Sequence, residues 1–255
     1  ASDVYKRQSL NSLINKGRQS SINKYLDSIK NGASSSIYLQ VTGTPQAIFL
    51  QTMASGWHPC FAHYFEPGSA YLGGDFFFPK NKTADCIKYL EKIAKPEHQV
   101  VLHHLTVSGQ ILASGGKTCN CLLHPSVRQA VHSKYAKAMA AELAWCLGHL
   151  NAEFKDELKK EYDALNPQKV SKVDFDMLFA TVRNLLENNA VKVIVMNGKN
   201  DVDSAEYSSG SNIVIGGNTL GRGVTFPGLH TIYYTRTSKK PQADTMWQHL
   251  SLIHI

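Results

Sequence analysis

Ile213-Val214-Ile215-Gly216-Gly217-Asn218-Thr219-Leu220-Gly221-Arg222-Gly223-Val224-Thr225-Phe226-Pro227-Gly228 is the stretch on which the reading of this chain turns. Three β-branched residues in a row form the heart of a buried strand over 212–216. The strand gives way to a turn dense in glycine, asparagine and threonine that carries one arginine. Glycine permits unusual backbone angles and lets the main chain approach a ligand closely. Exposed backbone N–H groups beside Arg222 would make a phosphate clamp. The plainer alternative is a glycine-rich crossover in which Arg222 is a solvated charge.

Working outward, a second strand-to-turn unit lies upstream. Ser36-Ile37-Tyr38-Leu39-Gln40-Val41 favours a strand and runs into Thr42-Gly43-Thr44-Pro45, then a helical start over 47–53. Open α/β sheets place ligands at the carboxyl edge of their strands, where these hydroxyls would sit. Read structurally, Thr44 caps a helix begun by Pro45.

Around the two units, apolar spacing predicts helices over 20–30, 83–93, 98–112, 126–149, 153–165 and 174–187. A Ser126 to Gln129 capping box would start the longest. Further strands are expected over 119–123, 191–196 and 231–235, with shorter extended pieces at 64–65 and 75–78. Strands alternating with helices argue for an α/β fold with a mostly parallel sheet. The domain seam is expected in the Ser/Gly stretch at 109–118.

That stretch contains Ser114-Gly115-Gly116-Lys117-Thr118, which looks like the end of a phosphate-binding loop. Such a loop needs an earlier glycine, where Ile111 stands, and a helix after it. An apolar β-run follows instead, so a connector is the expectation.

A formal net charge of +7, from 27 basic and 20 acidic residues, suits a polyanionic partner as well as a solvated basic surface. Cys60, Cys86, Cys119, Cys121 and Cys146 form no C-x-x-C pair, so no metal ligands are assigned. Buried free thiols in a reducing, cytoplasmic setting are expected. No apolar run is long enough to span a membrane.

The two ends read differently from the middle. Asp3 to Gln8 can be encoded as GAT GTG TAT AAG AGA CAG, and Leu250 to Ile255 as CTG TCT CTT ATA CAC ATC. The two strings are reverse complements and look like the transposase adapter of sequencing libraries. Residues 1–8 and 250–255 are therefore expected to be translated adapter. Ser9 to His249 is then the natural segment, truncated at both ends.

Taken together, the strand ending in Thr42-Gly43-Thr44-Pro45, the loop bearing Arg222-Gly223 and a final helix bearing Gln248 resemble motifs III, V and the start of VI of superfamily-two helicases. Gly216, Gly217, Asn218, Thr219, Arg222, Gly223 and Thr225 stand where that superfamily reads T-D-x-x-x-R-G-x-D. Gly217, Asn218 and Thr225 are departures from it. A narrower resemblance covers nearly all of 9–249. It rests on residues 38–47, Gly73-Gly74-Asp75-Phe76-Phe77-Phe78, Leu123-His124-Pro125-Ser126, 216–229 and Pro241-Gln242-Ala243-Asp244-Thr245-Met246-Trp247-Gln248-His249. These strings are similar to the Z-one domain family, a bacterial and phage-borne group that carries an endonuclease label.

The resemblance implies parts of two RecA-like lobes, of the P-loop NTPase, helicase-like class. Residues 9–108 would be the C-terminal part of the first lobe with connecting helices, and 109–249 an incomplete second lobe. It implies a parent ATPase acting on nucleic acid, with DNA as the partner, in restriction or phage defence alongside proteins encoded nearby. ATP and Mg²⁺ would be the parent's cofactors, held between the lobes. The phosphate loop and acidic motif would precede residue 9, and the arginine end of motif VI would follow His249. No catalytic set is then complete here, and neither cofactor is expected to bind this fragment tightly.

Within that scheme Thr42 and Thr44 couple the ATP site to the nucleic-acid groove. The 216–225 loop senses both, and His124, Pro125 and Ser126 touch backbone phosphates. Two rivals stand beside the motor. A metal-dependent endonuclease needs clustered carboxylates, and Asp75, Asp174, Asp176, Asp201 and Asp203 show no familiar spacing. A non-catalytic nucleic-acid-binding scaffold needs neither.

Overall fold

Four β-rich runs assemble into one sheet. In the computed structural model they are β1 (Thr118–His124), β2 (Val191–Met196), β3 (Gly210–Gly216) and β4 (Leu229–Tyr234). The sheet is ordered β2-β3-β1-β4 and every pairing is parallel. The structure describes residues 21–39, 41, 60–66, 68, 69, 76, 79, 80, 84, 86–126, 128–165, 172–196, 202–217, 220 and 224–235. The chain divides into two units: Ala1–Tyr71 with Gln242–Leu250, and Leu72–Pro241 with Ser251–Ile255.

The first unit contains helix α1 (Ser21–Gly32), whose expected inner face carries Tyr25 and Ile29, each 71% exposed. The strand expected at 36–41 is not formed among its described residues, 36–39 and 41. No strand is formed there, and Ile37 is 97% exposed. Strand propensity becomes a strand only when a second backbone accepts the hydrogen bonds. Residues 60–66 likewise take no strand, so the extended piece at Tyr64-Phe65 has no sheet partner among the described residues.

The second unit is a sheet with unlike coverings on its two faces. Helix α2 (Pro96–Ala113) buries residues on almost every side, among them Val101, Leu105 and His104. Helices α3 (Gln129–Gly148), α4 (Ala152–Ala164) and α5 (Phe175–Glu187) join β1 to β2. All four helices pack one core with Cys121, Leu123, Ile213 and Ile215 of the sheet. The opposite face carries Leu122, Val214, Ile194 and Met196. It packs on Tyr207 of the β2–β3 connection and on Leu220 and Phe226 of the β3–β4 connection. Alternate side chains along each strand thus belong to different cores, as the pleat requires.

Asn120 of β1 stitches the second face. Its Nδ2 donates to Tyr207 O at 2.9 Å and to Pro227 O at 2.6 Å, and its Oδ1 accepts from Asn212 Nδ2 at 2.9 Å. On the helical face Glu161 of α4 accepts from His103 Nδ1 at 2.7 Å, Gln99 at 2.8 Å and Lys88 at 3.3 Å. Burial alone would raise that carboxyl's pKa. The hydrogen bond and charge of His103, with Lys88, outweigh it and lower the pKa.

Several sequence expectations shift. Of 83–93, the described residues form isolated turns rather than a helix (Ile87 N to Ala84 O, Ile93 N to Leu90 O). A short run without a packed apolar stripe does not sustain the helical ladder. The seam expected at 109–118 falls inside the second unit, where α2 passes directly into β1 and shares its core. Gly115-Gly116-Lys117-Thr118 is the exit from α2, with Gly116 N–H bonded to Ile111 O at 2.9 Å and β1 beginning at Thr118. The helix that a phosphate loop requires is not there. Cys119, Cys121 and Cys146 are buried free thiols as expected, with Cys119 pushed up to about 11 and Cys146 to about 12 by burial. Cys60 and Cys86 are exposed. Among the described residues no helix is long and apolar enough to cross a membrane.

Candidate functional site

The topology makes its own crevice. After β1 the chain leaves across the helical face, through α3, α4 and α5. After β3 it leaves across the opposite face, where Leu220 and Phe226 are buried. β1 and β3 are neighbours, pairing from Thr118↔Gly210 to Leu123↔Ile215. Adjacent parallel strands whose connections depart on opposite faces open a cleft at their carboxyl ends, the place where open α/β sheets bind ligands.

The described sequence-predicted residues that meet at this cleft are Ser126, Gly216 and Gly217. Gly216 ends β3 beside Met196 of β2. Gly217 is buried and opens a tight turn, its carbonyl accepting from Leu220 N–H at 3.0 Å. A Cβ on Gly217 would lie 3.1 Å from Ser126 O and 3.3 Å from His132 Cε1. Close main-chain approach, the reason glycine was expected here, is therefore spent on the neighbouring loop. Farther along, Phe226 stacks obliquely on Tyr207 at 5.0 Å and pins the return of the loop, and Thr225 beside it is exposed. Asn218, Thr219, Arg222 and Gly223 lie outside the described residues, as do Thr42, Gly43, Thr44, Pro45 and Gln248.

His124, Pro125 and Ser126, the trio expected to touch backbone phosphates, differ in exposure. His124 is fully buried, its ring 5.2 Å from that of Tyr234, and Pro125 is buried as well. As the last residue of a strand covered on both faces, His124 points into the protein. Ser126 is half-buried and reaches the cleft. Its hydroxyl accepts from Arg128 N–H at 3.2 Å. That bond closes a turn before the helix, so α3 starts at Gln129, behind an Arg128 that makes no side-chain cap. The expected capping box is not formed. Arg128 is exposed, and the N-terminus of α3 opens on the same edge of the sheet, adding positive potential there.

His132 was not singled out in the sequence. It is 2% exposed, and its Nε2 lies 2.7 Å from Ser126 O. Nothing in the spacing marks it, because Ser126 and His132 become neighbours only through the turn that precedes α3.

The carboxylates considered for metal have other work. Asp174 caps α5 through Asp176 N–H, and Asp203 caps a short 3₁₀ turn through Ala205 N–H. Asp176 pairs with Lys155 at 3.0 Å. Asp75 and Asp201 lie outside the described residues. Among the described residues no group of three or more His, Cys, Asp or Glu is placed to hold a metal ion.

A family model described as the Z1 domain matches residues 100–251, a span that runs from within α2 through the whole sheet and the cleft. No curated protein and no solved structure matches the chain.

Proposed function

We propose, from the premise that this chain belongs to the Z1 domain family, that it is part of a nucleic-acid-dependent ATPase motor of the superfamily-two kind. In this reading its cleft edge contacts the sugar-phosphate backbone of DNA. One observation carries the proposal. The loops after β1 and β3 pack against each other at the sheet's switch point, with Ser126 O 3.1 Å from the position of a Gly217 Cβ. Loops so placed present main-chain groups and the charge of Arg128 to a ligand lying across the carboxyl edge. Main-chain and arginine contacts to phosphate are independent of base sequence.

ATP and Mg²⁺ are proposed as the motor's cofactors. RecA-like lobes, bacterial restriction or phage defence and a cytoplasmic setting belong to the same proposal. The four-stranded parallel sheet and the switch-point cleft are the features that support it.

The test is binding of a fluorescent oligodeoxynucleotide by the 255-residue chain across a salt series. Log affinity is expected to fall linearly with log salt, and Arg222→Ala to reduce the slope by about one. Absence of salt-dependent binding would overturn the reading. With ATP and Mg²⁺ added, hydrolysis is read on the same 255-residue chain. Turnover above background would show that this chain by itself completes an ATP site.

A further inference from the structure

We propose that His132 is a positioning residue that clamps the loop after β1 to the loop after β3, holding the two at one spacing along the cleft edge. The role in DNA binding rests on the function proposed above; the clamp does not. Three observations meet at this residue.

The first is the hydrogen bond. Ser126 O is a carbonyl and only accepts, so His132 Nε2 carries the proton and donates at 2.7 Å. That fixes the tautomer and ties residue 126 to the first turn of a helix of 20 residues. The second is contact. The same ring edge faces Gly217, with Cε1 3.3 Å and Nε2 3.4 Å from where its Cβ would be. One imidazole therefore touches both loops, and Ser126 O touches Gly217 as well. The third is cost. His132 is 2% exposed, and its Nδ1 has no hydrogen-bond partner among the described residues. A buried polar atom left unsatisfied weakens the fold. A leucine would fill the space without that penalty. What the histidine adds is the Nε2–H that a leucine lacks.

The clamp explains why the β1 loop can carry its ligand-facing group at Ser126 while His124 points inward. Ser126 is held by the helix through its carbonyl, at the edge where a backbone phosphate would lie. Gly217 is held against the same carbonyl, so main-chain groups at the start of the β3 loop face the same ligand. A small movement of either loop changes both.

The experiment uses the 255-residue chain and its His132→Leu, His132→Gln and Gly217→Ala variants. Amide hydrogen exchange is read over 124–131 and 216–220, and oligodeoxythymidine affinity is read at one fixed salt concentration. His132→Leu is expected to raise exchange in both segments and to weaken binding about tenfold, the equivalent of one lost hydrogen bond. His132→Gln, whose terminal amide can donate where Nε2 did, is expected to restore both to within about threefold on the same scale. Rescue by glutamine separates a donor that positions from an apolar filler. Gly217→Ala leaves His132 intact but requires Ser126 O and the ring to give by a few tenths of an ångström, and is expected to raise exchange over 124–131. It serves as the deciding variant if His132→Leu does not fold. Unchanged exchange across the loops, or a glutamine no better than leucine, would overturn the clamp. If the parent chain binds no oligonucleotide, the DNA reading fails while hydrogen exchange still decides the clamp.

Discussion

Gly228→Ala is expected to lower the free energy of unfolding by about 2–4 kcal/mol, from left-handed backbone strain together with overpacking. Gly228 has φ +59°, a conformation costly for any residue with a side chain. A Cβ there would fall onto the carbonyl of Thr118, with Thr118 C at 2.9 Å. The crowding follows from what this corner does. Gly228 O accepts from Asn120 N–H at 2.7 Å, and the adjacent Pro227 O accepts from Asn120 Nδ2 at 2.6 Å. The return of the 217–228 loop is thereby laced to β1 just where β4 begins. The pairing slips at the same place, from Asn120↔Leu229 to Cys121↔Thr231. Relief of the clash must move Thr118 or the loop, and either loosens the anchored end of the segment that carries Arg222. Gly148→Ala is the control. Gly148 closes a helix with nothing within 4 Å of its Cβ position. Alanine there is expected to be neutral or to gain up to about 1 kcal/mol. Urea unfolding of the two variants beside the parent measures the contrast, and equal midpoints would mean that the chain does not cross β1 as described.

Much of the second unit is legible in the sequence, for identifiable reasons. The β2 run Val191–Met196 is bounded as the residue pattern suggests, and β1, β3 and β4 differ from expectation by one or two residues at their ends. Buried parallel strands read as short β-branched runs, and that signal is local. The helices α4 and α5 are equally readable because Asn151 and Asp174 cap them. What fails is whatever depends on a partner. Residues 36–41 have the composition of a strand but no ladder among the described residues. The start of α3 misses by three residues because Ser126 spends its hydroxyl on a turn rather than a capping box. The cleft itself is half legible. Gly217 stands out as a glycine needing close approach, but the approach is to Ser126 O and the His132 ring. His132 carries no mark at all, since its role arises only once a turn, a helix and a second loop are in place.

Acidification is expected to destabilise this protein through His104 before most carboxylates titrate. His104 lies fully buried on α2, beneath the amino ends of β1 and β3. Its Nε2 is 2.9 Å from Ser211 Oγ, which is itself 2.8 Å from Ser108 Oγ. Nδ1 has no hydrogen-bond partner among the described residues. Two hydroxyls suit a neutral ring and give no counter-charge to an imidazolium. Burial, with the nearby charges of His103 and His230, lowers the His104 pKa to about 3 from an ordinary 6.5. The sign follows from which state takes the proton. Between those two values the unfolded chain binds a proton at His104 and the folded chain refuses it, so protons favour unfolding. The contribution is fully present above pH 6.5 and is lost progressively as the pH falls toward 3. Linkage puts the loss at about 2–3 kcal/mol between pH 7.5 and 4.5, taking one pH unit as about 1.4 kcal/mol. Glu161, whose carboxyl is held low, adds its own loss only below the ordinary carboxylate range, so the two groups separate along the pH axis. His104→Gln keeps a polar group near Ser211 but cannot titrate. The variant is expected to be less stable at pH 7.5 yet to lose markedly less on going to pH 4.5. Urea unfolding of both proteins at the two pH values reads the difference of slopes, and parallel slopes would place the acid sensitivity elsewhere.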